Sequence, residues 1–183
     1  HTPLCTVAGF NFTMATDIAV DTLRATFGGG CFWGMEKWFK KEFPKGIKNV
    51  QVGYLGGTLD KPTYKQVCTG KTGHAEVVTM TYEPKTVSYK DLLKFFFRIH
   101  DSTTLNAQGN DHGTQYRSAI FYYSEEQKLD AETIRAEMQK SGKIKGTIVT
   151  EITAATTFYP AEDYHQGYLD ANPDGYCNHK PLW

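Results

Sequence analysis

The chain is poor in most of the features that mark a specialised protein. Its 20 Lys+Arg are cancelled by 20 Asp+Glu, so no net charge favours nucleic acid or an anionic membrane. It has no apolar run approaching the roughly 18 residues of a membrane helix; Phe95-Phe96-Phe97 is fenced by Lys94 and Arg98. Cysteines number only 4, at Cys5, Cys31, Cys68 and Cys177. They include no C-x-x-C pair and no zinc-ligand spacing, and they are too sparse for a disulfide-stapled secreted scaffold. No basic segment leads into an apolar one at the N-terminus, so no secretory signal is read. These absences predict a cytoplasmic protein without metal, membrane or nucleic-acid chemistry, in which a disulfide would be transient and functional.

Across 183 residues there is material for one domain, with 40% hydrophobic and 14% aromatic residues supplying its core. Met14-Ala15-Thr16 reads as a native start. The expected division is an N-terminal extension over 1–19, in part foreign to the native protein, and a single domain over 20–183. The glycosylation-type triplet Asn11-Phe12-Thr13 falls in that leader.

From residue 21 the pattern is regular. Leu23, Ala25 and Phe27 alternate with polar residues as a strand, and Gly28-Gly29-Gly30 ends it. Phe32 to Phe43 reads as a helix, Val50 to Tyr54 as a second strand and 75–83 as a third. Residues 58–73 are rich in turn signals. Ser88 with Asp91 forms a capping box for a helix reaching His100, and Ser124 with Gln127 opens another ending near Gly142. Ala119 to Tyr123 and Ile148 to Ala154 are strand-like, while Pro160-Ala161-Glu162-Asp163 predicts a helix running to Asn172-Pro173. The order β-α-β-β-α-β predicts an α+β ferredoxin-like split βαβ sandwich. Beyond Asn172-Pro173 a mobile C-terminal tail is expected.

Two nucleotide-like motifs fail on inspection. After Gly28-Gly29-Gly30, Trp33 occupies the place of the third glycine that close helix–strand packing demands. Gly70-Lys71-Thr72 lacks the leading glycine of a phosphate loop, because Lys65 stands there.

The strongest chemical signal is Gly30-Cys31-Phe32-Trp33-Gly34. Cys31 stands between a strand and a helix, where unpaired N–H groups and the helix dipole favour a thiolate. The alternative is a thiol buried in a packed turn. Three preceding glycines and two aromatics point instead to a nucleophile beside an apolar wall.

That motif, Val52-Gly53-Tyr54-Leu55-Gly56-Gly57, Thr72-Gly73-His74-Ala75-Glu76-Val77, Asp111-His112-Gly113-Thr114-Gln115-Tyr116-Arg117-Ser118 and Asp163-Tyr164-His165-Gln166 occur in one order. In this the chain resembles the A-type peptide methionine sulfoxide reductases over about residues 22–177. The resemblance implies an α/β roll with long coil segments. It also implies reduction of methionine S-sulfoxide, free or in oxidised proteins, as in protein repair under oxidative stress. By the same resemblance Cys31 attacks the sulfoxide sulfur, Glu76 supplies a proton, and Tyr54 and Tyr116 hold the oxygen. Asp111 then anchors substrate or water, and Phe32, Trp33, His165 and Tyr168 border the pocket. Cys177 matches the resolving thiol and Cys68 a packed one. Recycling would draw on thioredoxin or another dithiol, with no cofactor, in an expected monomer. The alternatives are a cysteine hydrolase pairing Cys31 with His112 or His165 and Asp111, or a methionine-binding module without turnover.

Overall fold

A computed structural model describes residues 23–183. The extension over 1–19, the Met14 start, the Asn11 triplet and Cys5 lie outside the described residues. The elements in chain order are β1 (Arg24–Gly28), α1 (Phe32–Glu42), β2 (Ile47–Leu55), α2 (Tyr64–Val67), β3 (Ala75–Tyr82) and α3 (Tyr89–Ile99). There follow β4 (Ala107–Gln108), β5 (Asp111–His112), a 3-10 turn at Thr114–Tyr116, β6 (Ala119–Tyr122) and α4 (Glu125–Lys140). Last come β7 (Glu151–Ala154), β8 (Tyr159–Pro160), a second 3-10 turn at Asp163–His165 and α5 (Tyr168–Ala171).

The fold is mixed α+β, built on a six-stranded sheet of order β7-β6-β1-β3-β2-β8. Every pairing in it is antiparallel except β6 with β7. Phe27 stacks between Phe39 of α1 and Phe96 of α3, with ring centroids 5.4 and 5.1 Å away. Offset stacks of this kind add to the area they bury, and they fix how both helices lie on the sheet.

The helix ends follow local chemistry. At α3, Ser88 Oγ accepts from Asp91 N at 3.0 Å, and the Asp91 carboxylate accepts from Ser88 N at 3.2 Å. At α4, Ser124 Oγ caps Gln127 N, whereas the Gln127 side chain accepts from Tyr123 N and donates to Arg24 O. Only half of the expected box forms there, because the amide is used to tie α4 to β1.

Three expectations need correction. The helix anticipated over Pro160 to Asn172 is a strand residue pair, a 3-10 turn and a one-turn helix, separated at Gly167. Gly167 sits at φ 64°, a left-handed conformation that an α-helix cannot pass through. The turn-rich segment 58–73 contains α2, started by a capping box of Thr63 and Gln66. Finally, the C-terminal tail is fastened rather than free. Tyr176 and Asn178 donate to Asp111, Trp38 Nε1 donates to His179 O, and Leu182 N donates to Arg98 O. The Trp183 ring lies under the Lys143 ammonium.

Candidate active site

Antiparallel pairing decides which residues meet. The C-terminal ends of β1 and β2 and the N-terminal ends of β3 and β6 lie at one edge of the sheet, as the partners Phe27↔Val78, Tyr54↔Glu76 and Gly28↔Ala119 require. Cys31 follows β1, Tyr54 and Glu76 face each other across β2 and β3, and Tyr116 immediately precedes β6. Directly opposed residues project from the same face of a sheet, so Tyr54 and Glu76 stand side by side.

Cys31 is the N-cap of α1 and only 9% exposed. Glu76 is 1% exposed, and one carboxyl oxygen, Oε2, accepts from Phe32 N at 3.1 Å. That bond joins the acid to the helix turn carrying the thiol. Burial pushes the Glu76 pKa up to about 8, opposed in part by the Phe32 N–H and reinforced by the charge of Asp111. At neutral pH the carboxyl therefore keeps its proton, and Oε1 is the oxygen free to donate it.

Cys31 departs from expectation. The helix N–H groups of Trp33 and Gly34 do lower its pKa, but burial and then the Glu76 charge raise it more strongly. The resting group is a thiol, not a thiolate, because desolvation outweighs the helix terminus.

Around this pair stands an aromatic cage. The Phe32 ring lies 5.9 Å from Tyr54 and 5.1 Å from His165. Trp33 stacks on Tyr168 at 3.8 Å, and its Nε1–H donates to His165 Nδ1 at 3.0 Å. His165 and Tyr168 thus meet Trp33 from a turn and a short helix, not from one long helix face. The His165 Nδ1 is spent on Trp33, its Nε2 has no partner among the described residues, and His112 is exposed on β5. Neither histidine forms the hydrogen-bonded pair with Cys31 that a cysteine hydrolase needs.

Tyr54 donates to Glu162 Oε1 at 3.0 Å, and burial followed by that bond pushes the phenol pKa up. Burial and the Glu76 charge act in the same direction on Tyr116. Both remain neutral O–H donors. Asp111 Oδ2 accepts from Tyr176 and Asn178 of the tail, and its charge acts on both Cys31 and Glu76. Cys68 is exposed rather than packed, and it shares a hydrogen bond with Tyr64.

Sequence reasoning missed Tyr64 and Glu162. The Glu162 carboxylate binds Tyr54 O–H and Tyr64 N, and the Tyr64 ring lies 4.4 Å from His165. Burial alone would raise the Glu162 pKa, but its hydrogen bonds hold it low, so it stays charged. Glu162 had read as a first-turn acid of a helix that does not exist; only the Thr63–Gln66 capping box hinted at an ordered Tyr64. Gln166, part of the Asp163–Gln166 motif but given no role, bonds both Val52 N and Val52 O through its side-chain amide and fastens the His165 segment to β2.

A thiol next to a protonated buried carboxyl, with neutral phenols and aromatic rings around them, defines a cysteine-dependent enzyme site suited to a polar sulfur-bearing group. The chain belongs to the peptide methionine sulfoxide reductase family, whose model matches residues 23–182. It is 54% identical over 154 residues to the peptide methionine sulfoxide reductase MsrA of Methanothermobacter thermautotrophicus, covering 84% of this chain and 90% of that one. Among solved structures it resembles Mxr1 from Saccharomyces cerevisiae in reduced form, with TM-score 0.82, 42% identity and coverage of 86% and 91%. It also resembles Mxr1 in complex with Trx2, with TM-score 0.61, 28% identity and coverage of 93% and 96%.

Proposed function

We propose that the chain reduces methionine S-sulfoxide, free or in oxidised proteins, with Cys31 as nucleophile and Glu76 as proton donor. The observation that carries this reading is the Glu76 carboxyl, held neutral by burial and tied to the Cys31 turn through Phe32 N. A sulfoxide sulfur becomes electrophilic when its oxygen is protonated or strongly hydrogen-bonded. Glu76 and the Tyr116 hydroxyl supply that environment in a dry site where each hydrogen bond counts more than in water, and Tyr54 joins them when its O–H turns from Glu162 to the substrate oxygen.

As the Cys31 sulfur bonds to the sulfoxide sulfur, Glu76 gives a proton to the oxygen and the thiol proton replaces it on the carboxylate. The sulfur–oxygen bond of the adduct then breaks and the oxygen passes to Cys31. Methionine leaves, its sulfur reduced by two electrons, and Cys31 becomes a sulfenic acid, oxidised by two. Cys177 attacks that sulfenic acid, a disulfide forms and water departs. A thioredoxin-type dithiol returns both cysteines to thiols by exchange; the yeast relative in complex with Trx2 supports this choice of reductant. The cycle draws on no metal or organic cofactor.

Phe32, Trp33, His165 and Tyr168 form the pocket wall in this reading, with Asp111 acting through the tail. Trp33→Ala should lower kcat/KM about tenfold, mostly through KM, because the substrate methyl loses its aromatic face. An unchanged KM would reduce Trp33 to packing.

The inner strands β6-β1-β3-β2 support a ferredoxin-like split βαβ reading of the domain, taken here as 20–183. Among the described residues no helix is long and apolar enough to cross a membrane. A cycle reset by a thioredoxin-type dithiol calls for a reducing setting, taken here as cytoplasmic, with the enzyme acting as a monomer.

The deciding experiment supplies peptides carrying each pure sulfoxide epimer, with thioredoxin as reductant. Consumption of the S epimer alone is expected. Cys177→Ser should release about one methionine per enzyme in the first turnover and then stall with thioredoxin, while peptide mapping of the wild type finds Cys31 linked to Cys177. A Cys31–Cys68 link, or full thioredoxin turnover in Cys177→Ser, would reject Cys177 as the resolving thiol.

A further inference from the structure

The tail that carries Cys177 is seated by a buried histidine. His179 is 5% exposed, and its Nε2 lies 2.6 Å from the carbonyl oxygen of Gly29, two residues before Cys31. A carbonyl only accepts, so Nε2 carries the proton and Nδ1 is the bare acceptor. Nδ1 has no partner among the described residues, because it is pressed against Gly34. A Cβ added at Gly34 would stand 2.1 Å from Nδ1 and 3.0 Å from the Cys177 sulfur.

Gly34 lies three residues beyond Cys31, and positions three apart share one face of a helix. The missing Gly34 side chain therefore leaves a notch on the Cys31 face, and the tail fills that notch with the His179 ring and the Cys177 sulfur. The main chain of His179 is held as well, its carbonyl accepting from Trp38 Nε1 at 3.0 Å. On either side of Cys177, Asn178 Nδ2 donates to Gln108 O at 3.0 Å and to Asp111 at 3.2 Å, and Tyr176 O–H donates to Asp111 at 3.2 Å. Of these fasteners, only the His179 ring reaches the strand–helix turn that carries the nucleophile.

The geometry points to His179 as the positioning residue that seats Cys177 beside Cys31 for disulfide formation. The inference rests on Cys177 being the resolving thiol. A short disulfide span demands closely placed Cα atoms and aligned Cβ directions. A bond from His179 to Gly29 links the resolving and attacking segments directly, so it sets their separation before the sulfenic acid forms. The thiol of Cys177 then attacks the Cys31 sulfenic sulfur, the S–O bond breaks, and hydroxide leaves with the thiol proton as water. His179 transfers no proton in this step. Burial, which pushes its pKa down to about 4, keeps the ring neutral and fit to sit against an unpaired acceptor face.

The experiment compares the full-length wild type with His179→Ala, His179→Gln and Gly34→Ala, each mixed with a methionine S-sulfoxide peptide and no reductant. Gln places an amide N–H near the position of the imidazole Nε2 and can bond Gly29 O. Gly34→Ala favours the helix intrinsically but displaces the ring. Methionine release in the first turnover is expected at the wild-type rate in both His179 variants, while Gly34→Ala is read by the ratio of its disulfide step to its own first turnover. Loss of the Cys31 and Cys177 thiols to a disulfide should slow by about tenfold or more in His179→Ala and Gly34→Ala, the worth of one buried hydrogen bond. Dimedone should then capture Cys31 sulfenic acid in both, and His179→Gln should restore disulfide formation to near the wild-type rate.

Wild-type disulfide formation in either alanine variant overturns the inference. So does a first turnover slowed as much as the disulfide step, which marks a structural role, or a glutamine variant as slow as alanine. Cys177→Ser run alongside separates the two levels. If it too forms an intramolecular disulfide with Cys31, the resolving assignment has failed; if it does not, any failure belongs to His179 alone.

Discussion

Cys31→Ser should abolish sulfoxide reduction, with no methionine above background even in a first turnover and with excess dithiol. A hydroxyl cannot donate electrons to the sulfoxide sulfur and then hold the oxygen, because that requires a sulfur able to rise through the oxidation ladder. The substitution is nearly isosteric, and Cys31 lies at a helix cap with no disulfide, so stability should change by only about 1 kcal/mol. Thermal melting of the variant beside single-turnover methionine release checks both halves. Substantial turnover in Cys31→Ser would remove the nucleophile from the proposed cycle. A companion measurement follows from burial, which keeps Cys31 a thiol at rest. Iodoacetamide at neutral pH should modify exposed Cys68 before Cys31 in the free enzyme.

Glu76→Gln should slow the chemical step by roughly 10²–10⁴, the usual scale of a lost general acid. The pH profile identifies the role better than the loss does. With a Glu76 pKa of about 8, the wild-type carboxyl is protonated and competent below that pH and ionises above it. The single-turnover rate should therefore hold on the acidic side and fall as pH rises through about 8. Ionisation there also places a negative charge beside Cys31 and pushes its pKa further up, which steepens the descent. Glutamine at 76 should erase this descent along with most of the rate, and a profile that still falls near pH 8 in the variant would assign it to another group.

Stability follows the same sign. The folded state binds the Glu76 proton more tightly than the unfolded chain. Stability is thus full below the ordinary carboxyl pKa and declines by about 1.4 kcal/mol per pH unit between there and about 8. Glu76→Gln should remove that slope, which denaturant titrations across the window can measure.

Much of this protein was legible residue by residue. The alternation of Leu23, Ala25 and Phe27, the Ser88–Asp91 box and the apolar run from Ala119 are local patterns, and local hydrogen bonding or burial made them what they are. The strand–helix position of Cys31 was legible for the same reason. Its ionisation was not: the helix terminus is a local term, while the desolvation that overrides it comes from residues distant in sequence. Glu76 could be read as facing apolar surroundings, since alternation along β3 is local. That it sits against Tyr54 depended on the β2–β3 register, which no segment specifies alone.

The region after Pro160 misled because its proline and acids do mark helix starts, yet Gly167 and the bonds of Gln166 to Val52 impose a different path. The tail misled more. Its Asn172-Pro173 break and glycine spoke for freedom, and nothing in the sequence shows that Gly34 leaves a notch for His179 and Cys177. The sequence by itself determined most of the strands and helices and the strand–helix place of Cys31, because side-chain chemistry and short-range periodicity belong to single segments; it was the family resemblance that singled out Glu76 as an acid. Only the tertiary structure decided the protonation of Cys31, the contacts of Asp111 with the tail and the seat of that tail. Desolvation and long-range hydrogen bonds exist only once segments far apart in the chain have packed together.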